Sequence, residues 1–391
     1  MECLATTEEP HPADRLVHHL DGNRLTISGN GPELRDMLVD LIDGAQHSLR
    51  LYYYIFANDG SGRLVLAHLI RAARRGVDVT LMVDAFGSGE LPSGFFAGLE
   101  RAGGRVGWFG SSWSTRYLIR NHQKMALADD SRAMIGGFNI ADPYFGIPED
   151  DCWHDLGLLI EGPEAQMLGQ WYQWLWNWVS APHRRFRRLG AMVRGWKDRR
   201  DRFRWLVGGP ARRLSPWART VREDLDKGRQ VDMIAAYFAP GNGLLARLRR
   251  VAERGRLRLV FPSRSDNAAT VAAARLLYGP LLRRGAEIYE YLPCRLHMKL
   301  IVIDDIVYIG SANFDMRSLF LNLEIMLRIK DAELAAKVRL FVDARIADSD
   351  RIDEARHRAG QTPLTLIKRW ISYFLVGILD YKITRRLNFP E

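Results

Sequence analysis

Two short stretches carry a histidine and a lysine two residues apart: Asn121-His122-Gln123-Lys124 and Leu296-His297-Met298-Lys299. Each runs on through an apolar segment to an aspartate five residues after the lysine, Asp129 and Asp304. Residues two apart on extended backbone face the same way, so each stretch presents an imidazole beside an ammonium. The sequel repeats as well. Gly136-Gly137-Phe138-Asn139 and Gly310-Ser311-Ala312-Asn313 place an asparagine 17 and 16 residues after the histidine. A carboxylate then opens an apolar strand in each half, at Asp155 and at Glu324. One His-x-Lys pair carries little weight, whereas two with the same trailing residues point to an internal duplication.

Such a set suits transfer at a phosphodiester. The diester's single negative charge lies on two non-bridging oxygens. Two lysines and two asparagine amides can surround those oxygens as charge grows in the transition state. One imidazole can attack phosphorus and form a covalent intermediate. The other can protonate the leaving alcohol and then deprotonate the incoming one. Asp155 and Glu324 are read as carboxylates that fix a histidine tautomer, with Asp151 the competitor in the first half. Asp129 and Asp304, at strand ends, are read as structural. The lysines supply the electrostatics, so neither a metal nor another cofactor is expected.

The repeated HxKxxxxD pattern resembles the phospholipase D superfamily and, within it, bacterial cardiolipin synthases, over about residues 22–160 and 228–335. The second copy carries the fuller pattern, with Ser311, Asn322 and Glu324. In the first copy Gly137 stands where the serine would be, and the stretch from Asn139 to Asp155 is five residues longer. The resemblance implies two α/β/α lobes with mixed sheets about a pseudo-twofold axis, both motifs meeting in one site. It implies a phosphatidyl–histidine intermediate, and His122 is assigned as nucleophile and His297 as acid, then base; near-symmetry keeps the reverse open. The implied substrate is an anionic phospholipid, with phosphatidylglycerol as acceptor and phosphatidylglycerol or another phospholipid as donor. Phospholipid hydrolysis and nuclease activity remain the alternatives, with nucleic acid the less favoured partner.

A length of 391 residues fits two to three domains. The net charge of +10 points to an anionic partner. Cys3, Cys152 and Cys294 form neither a disulfide framework nor a metal spacing, which fits a reducing compartment. Residues 1–15 lack the apolar core of a signal peptide. No apolar run approaches the roughly 20 residues of a spanning helix. The expected location is peripheral, on the cytoplasmic face of a bacterial inner membrane.

Strands and helices alternate in both halves, which predicts mixed or parallel sheets covered by helices. The expected divisions are a loose tail over 1–21, bearing His11, His18 and His19, a first lobe over 22–182 and a linker over 183–227. A second lobe over 228–350 and an amphipathic helical segment over 351–391 complete the chain. Seven of the eleven tryptophans fall between Trp171 and Trp217, and residues 183–220 hold 13 Lys/Arg against 2 Asp. This combination is read as a headgroup-binding surface with indoles at the interface. The helical spacing of Leu364–Tyr381, flanked by Lys368, Arg369 and Lys382, predicts an in-plane membrane helix. Docking on its own lobe or on a second subunit is the competing reading.

Overall fold

Strict alternation of side chains builds the sheets. Met125 and Leu127 enter one buried cluster, while Ala126 and Ala128, on the opposite face of the same strand, enter another. Leu300 and Val302 divide from Ile301 and Ile303 in the same way. Both faces of these strands are therefore covered, as apolar runs without polar interruption require. The computed structural model describes residues 14–110, 119–183, 186–210 and 214–374.

Among these residues there are two eight-stranded sheets. The first runs Arg15–Leu20, Asn23–Ser28, Gly157–Glu161, Arg132–Gly136, Met125–Ala128, Ser48–Tyr53, Asp78–Asp84 and Arg105–Phe109. The second runs Phe203–Gly208, Glu324–Lys330, Ile306–Gly310, Lys299–Ile303, Gln230–Ala235, Arg256–Pro262, Glu287–Tyr291 and Ser349–Ile352. In each sheet the strand after the His-x-Lys stretch is central and antiparallel to its neighbours, and parallel pairing follows on one side. The inner faces of both sheets, with helices Glu164–Val179 and Ala332–Ala347, merge into one core. Each outer face has its own helical cover. The expected pair of α/β/α lobes is what the chain forms.

The strand orders correct two expected divisions. Asn23–Ser28, the helix Gly31–Asp43 and Ser48–Tyr53 open the first lobe, and Phe203–Gly208, the helix Pro216–Lys227 and Gln230–Ala235 open the second in the same way. The strand Phe203–Gly208 and the helix Pro216–Lys227 are thus part of the second lobe rather than of a linker. Most of the tryptophans from Trp171 to Trp217 pack inward. Trp171, Trp205 and Trp217 are wholly buried, and Trp178 and Trp196 nearly so. Trp196 donates to the Trp205 carbonyl at 2.8 Å and Trp205 to the Glu164 carbonyl at 3.1 Å. Trp174 is exposed and Trp176 half-buried. The indoles therefore serve the core, and an interfacial role for them as a group is set aside.

The tail is the second correction. Arg15–Leu20 pairs antiparallel with Asn23–Ser28, and His18 is buried 3.2 Å from Asp331. His11 lies outside the described residues. The helix Gly60–Arg74 is capped by Asp59, whose carboxylate accepts the Gly62 amide. The helix Pro363–Tyr373 packs near Ala268–Leu282 but leaves Leu364, Ile367, Trp370 and Ile371 exposed. Residues 375–391, including Lys382, lie outside the described residues. No described helix is long and apolar enough to cross a membrane.

Candidate active site

The two His-x-Lys stretches approach their strands in extended conformation and meet across the lobes. Their backbones do not stay within their own halves. His122 donates its N–H to the Leu323 carbonyl at 2.9 Å, and Leu323 returns one to the Arg120 carbonyl at 2.9 Å. Likewise His297 donates to the His154 carbonyl at 2.8 Å, and Arg295-Leu296 pairs in parallel with Trp153-His154. In each bridge the next residue of the partner strand is the carboxylate, Glu324 or Asp155. Backbone pairing between lobes thus sets each acid beside the histidine of the opposite half.

The side chains follow. His297 Nδ1 lies 2.5 Å from Asp155 Oδ2, and His122 Nδ1 lies 3.3 Å from Glu324 Oε1. Lys299 Nζ is also 2.8 Å from His297 Nδ1. That nitrogen cannot both donate and accept. The closer, charged carboxylate assigns the proton to Nδ1 and leaves Nε2 free for chemistry. Lys124 turns back onto the His122 carbonyl at 2.8 Å, and Lys299 onto that of His297. Both lysines are buried, with 4.0 Å from Lys299 to Asp155.

Burial pushes the Lys299 ammonium down to about 8, against the upward pull of Asp155 and Glu324. Lys124 is displaced the same way, for the same first cause. Burial and then Lys299 push the His297 imidazole down to about 4, although Asp155 pulls it up. Burial and Lys124 lower His122 as well. Asp155 and Glu324 are held below the usual carboxylate range; burial works against this, and the neighbouring cations outweigh it. The centre gathers two buried lysines and two histidines around two buried carboxylates, each carboxylate turned to a histidine, and the lysines are held where a negatively charged reactant would stabilise their charge.

The remaining residues divide by role. Asn139 Oδ1 accepts from the Ile55 N–H at 3.1 Å, which fixes its amide. Asn313 Oδ1 is buried without a hydrogen-bond partner among the described residues. Glu324 is gripped by Ser311 at 2.5 Å and by Ser318 at 2.8 Å. Among the described residues no hydroxyl grips Asp155 in this way: a Cβ on Gly137 would stand 2.3 Å from Asp155 Oδ1. Asp129 accepts the amides of Gln46, His47 and Ser48, and Asp304 those of Arg229 and Gln230. Asp151 faces Arg264 and Arg295 and no histidine.

Other residues border the centre; Trp153 was expected there, and Gln123, Tyr54 and Tyr144 were not singled out by pattern. Gln123, facing away from the site, accepts from Trp171 at 3.0 Å and donates to the Glu324 carbonyl at 3.1 Å. A polar residue alternating with His122 and Lys124 was its only sequence signal. Tyr54 lies 5.1 Å from His122, and Trp153 and Tyr144 lie 5.0 and 5.4 Å from His297. Cys152 and Cys294, with no spacing to suggest it, meet across the lobes at 3.8 Å as free thiols.

Two interlocked lobes around paired His-x-Lys stretches define a phospholipase D-type protein. A family described as cardiolipin synthase, PLD-like domain, matches residues 38–176 and 221–344. Cardiolipin synthase A of Pseudomonas putida is 30% identical over 363 residues, covering 89% of this chain and 74% of that protein. Cardiolipin synthase A of Pseudomonas fluorescens is 28% identical, covering 87% and 72%. In fold, the crystal structure of phosphatidylserine synthase from Haemophilus influenzae Rd KW20 superposes with a TM-score of 0.69. That match covers 95% of this chain and 96% of the other at 14% identity. The chain belongs to the cardiolipin synthase family of phospholipase D-like proteins. It is a phospholipase D-family phosphatidyltransferase.

Proposed function

We propose that the chain makes cardiolipin by transferring a phosphatidyl group from one phosphatidylglycerol to the glycerol hydroxyl of another. The observation that carries this reading is the pair of imidazoles, each with Nδ1 turned to a carboxylate and Nε2 free, beside two buried lysines. In the first step His122 Nε2 bonds to phosphorus and the bond to the leaving glycerol breaks. His297 delivers the proton that glycerol needs. In the second step His297 takes the acceptor's hydroxyl proton, the new oxygen–phosphorus bond forms and His122 is released. Lys124, Lys299, Asn139 and Asn313 surround the charged oxygens. Burial holds the free His297 neutral, but an entering phosphodiester anion raises its proton affinity, so acid and substrate arrive together. Asp155 and Glu324 fix the tautomers, while Asp129 and Asp304 hold strand ends.

The lipid is reached from the membrane surface through the helix Pro363–Tyr373, whose exposed apolar stripe adjoins Lys368 and Arg369. We place the protein peripherally on the cytoplasmic face of the bacterial inner membrane. The test is mass measurement of intact protein after mixing with a p-nitrophenyl phosphodiester, whose leaving group departs without protonation. His297→Ala should accumulate a phosphoryl adduct on His122, and His122→Ala should form none. An adduct on His297 in the His122→Ala protein would reverse the roles. Chromatography of lipids from wild-type reactions should show cardiolipin; phosphatidic acid alone would mean hydrolysis.

A further inference from the structure

Transfer between two phospholipids brings two phosphates to one site. The donor's phosphate occupies the histidine–lysine centre, and its leaving glycerol carries none. Only the acceptor brings a second phosphate, a three-carbon alcohol away from the reacting one. Both lysines are committed at the centre, so this second anion needs another cation.

The sequence offers one in each half, because arginine stands two residues before each catalytic histidine: Arg120-x-His122-x-Lys124 and Arg295-x-His297-x-Lys299. Both stretches are extended, so arginine, histidine and lysine share one side, with roughly 7 Å along the chain from arginine to histidine. The two arginines are not equivalent. Arg295 is ion-paired with Asp151, which also takes Arg264 at 3.3 Å, and it lies over Trp153. Arg120 makes no ion pair among the described residues. Its guanidinium carbon lies over the Phe86 ring, 3.3 Å from the centroid, and the group reaches the Tyr54 hydroxyl at 3.5 Å. Tyr54 in turn flanks His122.

Asp84, which feels the Arg120 charge, is buried and spent on backbone. It accepts the amides of Phe86 at 2.9 Å, Gly87 at 3.1 Å and Asn121 at 3.1 Å. Those bonds tie the Phe86 turn to the Arg120–His122 stretch, which positions the guanidinium without neutralising it. Phe86 is 59% exposed, so the arginine stands at the mouth of the site and not inside it. A guanidinium stacked on a ring keeps its outer N–H groups for a planar or tetrahedral oxyanion.

Resting on the transferase reading above, we infer that Arg120, held on Phe86, binds the phosphate of the acceptor phospholipid and so selects anionic acceptors. It is a positioning residue and takes no part in bond making.

The test reads partitioning, which does not depend on how much protein is folded. A phosphatidyl-p-nitrophenol donor charges the enzyme, and glycerol and glycerol phosphate then compete for the intermediate. The wild type should favour glycerol phosphate. Arg120→Ala should cut that preference roughly tenfold, as loss of one charge-assisted contact implies. Arg120→Lys should keep most of it, and Arg295→Ala should leave it unchanged. An unaltered ratio in Arg120→Ala, or an equal drop in Arg295→Ala, overturns the assignment while the transferase reading stands. A wild type that yields only hydrolysis with both alcohols overturns the transferase reading and this inference with it.

Discussion

His297 of the second lobe is held by Asp155 of the first, Nδ1 to Oδ2 at 2.5 Å, and not by an acid of its own half. His122 and Glu324 make the reciprocal pair. The exchange is fixed by backbone: the residue before each acid accepts the amide of the opposite histidine. Asp155→Asn should therefore share the phenotype of His297→Ala, and Glu324→Gln that of His122→Ala, whichever histidine carries the adduct. Loss of turnover in each should be roughly 10²–10⁴-fold, as for other histidines deprived of an orienting carboxylate. Adduct mass separates the two phenotypes. If Asp155→Asn matched His122→Ala instead, the crossed pairs would have no bearing on the chemistry.

Gly137 is the lobe-one counterpart of Ser311, and the two environments are not interchangeable. Ser311 donates to Glu324, whereas a Cβ on Gly137 would meet both oxygens of Asp155, at 2.3 and 2.8 Å. Gly137→Ser should displace Asp155 rather than gain a hydrogen bond. Turnover of a soluble phosphodiester should fall at least roughly 100-fold, close to the effect of Asp155→Asn. Ser311→Ala should cost roughly tenfold, because one hydrogen bond to a charged acceptor is lost. Wild-type turnover in Gly137→Ser would refute this account of the asymmetry.

Two histidines tie stability to pH. Burial, then Lys299, pushes His297 down to about 4; burial, then Arg345, does the same to His154. The unfolded chain takes up these protons near pH 6.5, the folded chain only near 4. Between those values the unfolded state binds more protons, so stability falls as pH drops from about 6.5 to 4 and is level above that window with respect to these groups. Each histidine adds a slope of up to roughly 1.4 kcal/mol per pH unit. Thermal midpoints across this range should show it, and His154→Gln should flatten the curve. A midpoint that rose on acidification would contradict the assignment.

The exposed stripe of the helix Pro363–Tyr373 makes a separate prediction. Replacing Leu364, Ile367 and Ile371 by Ser should lower partitioning to anionic vesicles at least roughly tenfold, from the apolar area no longer buried. Turnover of a soluble phosphodiester should stay within about twofold. Added salt should weaken what binding remains. Unchanged partitioning in sedimentation would mean that the stripe faces a protein partner.

Much of the centre was legible because it is local. Spacing of two on extended backbone, repeated in both halves with trailing asparagines and acids, names the residues. The crossing was not legible, because it depends on contacts between segments 142 and 202 residues apart, and the carboxylates keep the same order however they pair. Residues 203–227 were misread for a different reason. Arginines alternate with indoles there, and composition suggested a surface although period two was present: Phe203, Trp205 and Val207 face the shared core. Arg15–Leu20 looked like a polar tail because His18 reads as solvated until Asp331 arrives from the other half.

The parallel bridges at Asn121–Leu323 and Arg295–Trp153 also bear on ancestry. A single copy of this unit holds a histidine whose carboxylate neighbour must come from elsewhere. A one-copy forerunner with the same backbone exchange works only as a symmetric pair, each subunit lending its acid to the other. Two copies in one chain need no concentration-dependent pairing and are free to differ, as they do here with glycine and aspartate in one half and serine and glutamate in the other.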